Sequence, residues 1–379
     1  MTPQDLIENI ASVAARWTEQ RPERQQRRSL DPADFATLAE AGLWHTMVPV
    51  DAGGIWDGVA GTVRPICTAL RALGAADPSV ALVSSMHPAV LSYWLANPGA
   101  SQEWQEQTAA VVASAASGEQ WGTVTSEPGS GGDIARTRTV AEPVGGTGPL
   151  PGRCYVLTGD KHFGSGTGVT DFMVTTARAE GDDEPAIFLI DVREPDPRLR
   201  VVAEWDGVGM AATQSHAVRL ESMAATRLAW DGTIAELQFG SGGFILALFT
   251  SVILGVVDAA VDTAAAQLAP KRDSMGAFEQ TEWARAEMEH WLAVAAYERL
   301  LAAVESGDPL AGLHAGLRAK TSVAELAESA LGRITRVVGG GAFSRRSPFA
   351  HWYEDVRALG FLRPPWALAT DNLFATSLG

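Results

Sequence analysis

Apolar residues recur at helical spacing over the first 118 positions, and Leu6, Ile10, Val13 and Trp17 share one helix face. Asp31-Pro32 supplies an N-cap and a first-turn proline. The apolar positions Phe35, Leu38 and Leu43 follow, and Gly42 marks the end. Asp51 to Gly54 reads as a loop, and Asp77-Pro78 starts another helix. Between Trp121 and Trp230 the period changes. Short β-rich runs (Gly122 to Thr125, Cys154 to Thr158, Phe172 to Thr176, Ala186 to Asp191, Ala217 to Leu220) alternate with Gly, Pro and Asp clusters, the pattern of an antiparallel sandwich or barrel. Pro143 to Gly152 is a glycine- and proline-rich excursion between two strands. From Gly243 onward the pattern is helical again, with Ala-rich stretches Val256 to Leu268, Glu279 to Glu305 and Leu310 to Val338 suited to a closely packed bundle.

This order predicts an α+β multidomain fold. A helical domain spans 1–118, a central antiparallel β-barrel or sandwich 119–235, and a C-terminal four-helix-bundle domain 236–379. A length of 379 residues agrees, because one core rarely serves so long a chain. With 46% apolar and 20% charged residues the composition is that of a soluble globular protein. The most apolar run, Phe244 to Val257, is interrupted by Ser251 and Gly255 and reads as a buried helix. The amphipathic N-terminus lacks an apolar signal core, so a cytoplasmic location is expected.

Cys67 and Cys154 are too few for a disulfide framework or a four-thiolate metal site, and read as reduced packing residues. No metal is expected. A net charge of −16 argues against nucleic-acid binding, while local arginines or helix ends can still hold a phosphorylated small ligand. The basic run Arg21 to Arg28 reads as a solvated helix face or turn.

Two stretches carry the candidate chemistry. In WGTVTSEPGSGGD (Trp121 to Asp133) a strand runs into a glycine-rich loop whose N–H groups and hydroxyls can meet the polar edge of a flat ligand. Alone, it is equally the tight turn any strand needs. In GDKHFGSGTGVTDFMV the aromatic Phe163 lies beside Ser165, so a ring could cover one face of an aromatic cofactor while a hydroxyl anchors its edge. A hairpin with one core aromatic is the simpler reading of that segment.

Together, in a β domain between helical domains, these stretches resemble the acyl-CoA dehydrogenase family. The resemblance implies that Ser126 meets the flavin pyrimidine edge, that Phe163 lies beside the isoalloxazine and that Ser165 lies near N5, with serine where threonine is usual. WDGVGMAATQSHAVRLESM is similar to a further family strand, with Gly209 and Thr213 in register. KRDSMGAF resembles the segment holding the ADP half of FAD, which assigns Arg272 and Ser274 to the diphosphate. RVVGGGAF, with Arg336, Gly339 and Gly340, resembles the glycine-rich segment that meets a neighbouring subunit's FAD. The implied cofactor is FAD, or FMN for a monooxygenase, and the implied assembly is a homodimer or homotetramer.

The family's base is the departure. It is expected eight residues after the aspartate of a Tyr-Arg-Asp segment; here, after Tyr353-Glu354-Asp355, that position is Arg363, which cannot accept a proton. The helix that carries the base in other members reads ALFTSVILG here and has no acid. Hydride transfer from an acyl-thioester (acyl-CoA or acyl-carrier) substrate comes first, with Glu354 or Asp355 as the nearest acids. A two-component flavin monooxygenase comes second, with His87 and His351 as proton donors. A non-catalytic FAD-binding subunit comes third. Val83, Met86 and Phe244 are expected to shape the substrate pocket.

Overall fold

Capping chemistry starts the helices where the sequence predicts them. Thr2 and Asp5 form a capping box on α1 (Pro3–Glu19), which buries Leu6, Ile10, Val13 and Trp17. After one turn of helix, α2 (Arg21–Arg24), Asp31 accepts from the Ala33 N–H to open α3 (Pro32–Glu40), and Gly42 follows with a φ of 91°. Asp77 caps α5 (Pro78–Leu95), which lies between α4 (Gly58–Ala76) and α6 (Gln102–Ala116). The computed structural model describes residues 1–377.

Arg24 corrects the expectation of a solvated basic run. Its guanidinium is buried, 2.7 Å from Asp34, 2.9 Å from Asp77 and 4.0 Å from the centroid of the Trp17 ring. Two carboxylates and an aromatic face compensate the lost hydration, so this side chain ties α2 to α3 and α5 from within.

Seven strands follow: β1 (Trp121–Thr123), β2 (Val140–Pro143), β3 (Cys154–Gly164), β4 (Phe172–Ala179), β5 (Ala186–Asp191), β6 (Leu199–Ala203) and β7 (His216–Arg227). The pairings β4–β2, β2–β3, β3–β7, β7–β5 and β5–β4 run full circle, so the sheet is a barrel. β1 adds to β4 and β6 to β7. Most pairings are antiparallel, as expected. β1 and β2, however, run parallel to β4, because long connections rather than hairpins join them to it.

α7 (Ile234–Leu268) starts at a Thr233–Glu236 capping box, earlier than Gly243, because Gly240 to Gly243 lie inside the helix. α8 (Ala277–Glu305), α9 (Pro309–Val338), α10 (Pro348–Leu359) and α11 (Trp366–Ser377) complete the chain. Glycines allow α4 and α7 to touch backbone to backbone. A Cβ on Gly74 would lie 2.6 Å from the Val252 carbonyl oxygen, and one on Gly255 would collide with the Arg71 carbonyl. Although α7 is long and apolar enough to cross a membrane, it is buried against α4, α5, α8 and α9. One apolar core therefore runs from Leu6 in α1 to Leu359 in α10, and the barrel holds a second around Leu157, Phe188 and Leu220.

Candidate active site

The barrel brings the two glycine-rich stretches together. The His162 N–H donates to the Ser126 carbonyl at 2.8 Å. Behind this contact Lys161 Nζ lies 2.6 Å from Glu127 Oε1, and the same carboxylate accepts from the Thr137 and Thr139 hydroxyls and from the Arg138 and Thr139 amides. Burial pushes the Glu127 carboxyl up, but the bonds from Lys161, Thr137 and Thr139 outweigh it and hold the group at about 2. Glu127 and Lys161 stand inside the two quoted motifs, yet only their pairing reveals their work. They clamp Ser126 and Phe163 in place.

Phe163 adopts a φ of 59°, and the residue remains 58% exposed, its ring edge-on to Trp205 with centroids 6.1 Å apart. An uncovered aromatic face there suits a flat ligand. Ser165 is buried and belongs to a chain of hydroxyls: Ser165 Oγ is 2.8 Å from Ser215 Oγ, which is 2.7 Å from Thr213 Oγ1. Thr213 Oγ1 donates to the Met210 carbonyl at 2.9 Å. With that proton committed, Ser215 donates to Thr213 and Ser165 donates to Ser215. Ser165 is left with lone pairs to offer outward.

Arg363 reaches into the same place from the turn after α10. Its Nη2 donates to the Ser126 hydroxyl at 2.9 Å, its one hydrogen-bond partner among the described residues. Burial lowers its pKa, while Tyr93 and Asp133 act on it in the opposite sense. Lys320 of α9 holds the turn from behind, with Nζ 2.6 Å from the Gly360 carbonyl oxygen and 3.1 Å from that of Pro364. Burial lowers the Lys320 ammonium to about 8. Neither Tyr93 nor Lys320 carries a sequence signal for this role, because each meets the turn only through the tertiary fold.

The acid–base candidates separate by environment. His87 is fully buried: Nδ1 accepts from the Trp121 N–H at 3.2 Å, and Nε2 faces the Trp44 carbonyl at 3.2 Å. Both nitrogens are spent, and burial drives the imidazole down to about 3, so it is a neutral brace between α5 and β1 rather than a proton donor. His351 contacts the Arg345 carbonyl at 3.3 Å. Asp355 accepts from the Met210 N–H at 2.6 Å, and burial raises it to about 7. Glu354 pairs with Arg357 at 3.2 Å and lines a cleft of about 700 Å³ together with Trp205, Gly209, Glu328, Phe361 and Trp366.

The remaining expected ligands lie elsewhere on the chain. Arg272 and Ser274 occupy the exposed turn Ala269–Ser274 between α7 and α8. Arg336 pairs with Glu282 at 2.9 Å, and Gly339 and Gly340 have open space where a Cβ would project. Val83, Met86 and Phe244 are buried, with Phe244 edge-on to Trp56 at 5.8 Å, so they are core residues rather than walls of an open pocket.

No protein-family model matches the chain. Curated relatives span nearly its whole length. L-evernosamine nitrososynthase of a Micromonospora species is 26% identical over 99% of this chain and 90% of its own. The putative acyl-CoA dehydrogenase YdbM of Bacillus subtilis is 26% identical over 95% and 92%. Among solved structures, KijD3 in complex with FMN and a dTDP-linked amino-keto sugar superposes with a TM-score of 0.83 at 23% identity, covering 100% of this chain and 94% of that one. Butyryl-CoA dehydrogenase of Megasphaera elsdenii gives 0.83 at 17% identity over 98% and 97%. A helical core divided by a barrel gives the chain the acyl-CoA dehydrogenase fold, and along nearly its whole length its sequence is similar both to an acyl-CoA dehydrogenase-like protein and to a nitrososynthase.

Proposed function

We propose that this chain is a flavin-dependent monooxygenase that works with reduced flavin and O2. The observation that carries the reading is Arg363. Where acyl-CoA dehydrogenases place a carboxylate base, a guanidinium donates to Ser126. No proton can be taken from a substrate carbon by that group. The residues present fit a flavin ring. Phe163 offers an open aromatic face, the Ser126 loop offers N–H groups and a hydroxyl, and Ser165 offers a buried oxygen. A dibenzothiophene monooxygenase of Rhodococcus qingshengii, 24% identical over 69% of this chain, supports oxygen chemistry. A reduced flavin bound there supplies two electrons, so that one atom of O2 enters the substrate and the other leaves as water.

A dehydrogenase-type use of FAD is the second reading. It is favoured by Arg272 and Ser274, which stand exposed on one turn and have a guanidinium and a hydroxyl suited to a diphosphate. Anaerobic titration separates the two. The monooxygenase binds FMN at micromolar concentration, and its bound oxidised flavin is not bleached by butyryl-CoA or longer acyl-CoA esters. Bleaching by any of them would overturn the proposal, as would failure to bind flavin at all.

A further inference from the structure

Arg363 and Lys320 bring two cations to one turn, Lys320 buried on α9 and Arg363 half-buried in the turn itself, and among the described residues neither is in an ion pair. Lys320 donates only to the carbonyls of Gly360 and Pro364, which flank Arg363 on both sides. The guanidinium has five N–H donors, and the hydrogen bond to Ser126 accounts for one of them. Asp133 favours the Arg363 charge from a distance but makes no ion pair with it, and holding two cations out of water without a paired carboxylate is costly, so the arrangement suits a ligand that supplies the anion. The ligand edge nearest Arg363 is the one Ser126 meets, which in the reading above is the flavin pyrimidine ring. A reduced flavin at neutral pH is an anion with its charge on that ring. Ser165 points to the same redox state. Its proton is committed to Ser215, so the oxygen can accept from the N5–H that only reduced flavin has.

We propose that Arg363 binds the negative charge of reduced flavin at this site, and that Lys320 is the positioning residue that holds it against Ser126. This rests on the flavin reading and goes beyond it, because it assigns selectivity for one redox state to two residues. A guanidinium is also the suitable cation, since its planar fork can hold Ser126 and a ring carbonyl at once.

The test is an anaerobic measurement of FMN binding in both redox states, together with the midpoint potential of bound FMN, for wild type and variants. Wild type binds reduced FMN more tightly than oxidised. Arg363→Met weakens reduced FMN about tenfold or more while changing oxidised FMN less than about threefold. The midpoint potential therefore falls by about 30 mV for each tenfold change in the ratio. Arg363→Lys recovers part of the loss. Lys320→Met shifts the ratio in the same direction by less, with retention of the helical circular dichroism signal reporting the fold. Equal weakening of both redox states in Arg363→Met, or an unchanged ratio, sinks the inference alone. Wild-type protein that binds neither form overturns the flavin reading and this inference with it.

Discussion

The Lys161 ammonium and the Glu127 carboxylate meet at 2.6 Å inside the barrel, with side-chain exposures of 0% and 3%. The pair joins the loop that carries Ser126 to the strand that carries Phe163, behind the backbone hydrogen bond from His162 to Ser126 that links the same two segments. Lys161→Met leaves a buried carboxylate without its cation and is expected to cost about 3–5 kcal/mol. Urea denaturation measures this. The double variant with Glu127→Gln should lose less than the sum of the single losses. The pH dependence has a definite sign. Glu127 is held at about 2, below its ordinary 4.5, so its stabilisation is full above pH 4.5 and disappears as pH falls towards 2. An acid limb that is unchanged in Glu127→Gln would refute this.

His87 should matter for folding and not for proton transfer. His87→Leu leaves the Trp121 N–H and the Trp44 carbonyl unpaired in the core, at about 1–3 kcal/mol each. Because the imidazole is already neutral from about pH 3 upward, the pH profile of turnover between 5 and 8 should keep its shape in this variant. Loss of a limb in that range would restore His87 as a proton donor.

Asp355 predicts the opposite stability trend. The unfolded chain releases this proton near 3.8, whereas burial retains it in the folded state up to about 7. Unfolding therefore becomes easier as pH rises through that interval and changes no further above it. Asp355→Asn keeps an oxygen for the Met210 N–H and removes the titration. Its melting temperature should exceed that of wild type at pH 8 and match it at pH 4. Equal differences at both values would exclude the mechanism.

Arg272 gives a test of cofactor length. If it holds a diphosphate, Arg272→Ala should weaken FAD about tenfold and leave FMN unchanged, since only FAD extends beyond the first phosphate. Equal effects on both flavins would place Arg272 away from the diphosphate.

Much of this was legible from one dimension. Caps at Asp31 and Asp77, the switch from helical to β period near Trp121 and the long Ala-rich helices are local signals, and they appear where expected. β2 and β6 escaped notice because they are short and mostly exposed, and so lack alternation. The motifs located Ser126, Phe163 and Ser165, but a motif says nothing about partners. Arg363 meets Ser126 across 237 positions, and Arg24 meets Asp77 across 53. Charges that look solvated in sequence become buried pairs only when the fold supplies their counterparts.

The passage of α7 through the middle of the helical core has a consequence for synthesis. The barrel is an insertion between two parts of one helical unit, so α1, α4 and α5 cannot bury their shared face until the chain beyond Ile234 has left the ribosome. Until then the nascent helices expose Leu6, Ile66 and Leu70, while the barrel strands can already close on their own smaller core. The central segment should become protease-resistant first in arrested nascent chains, and the N-terminal helices should be the part that needs a holdase.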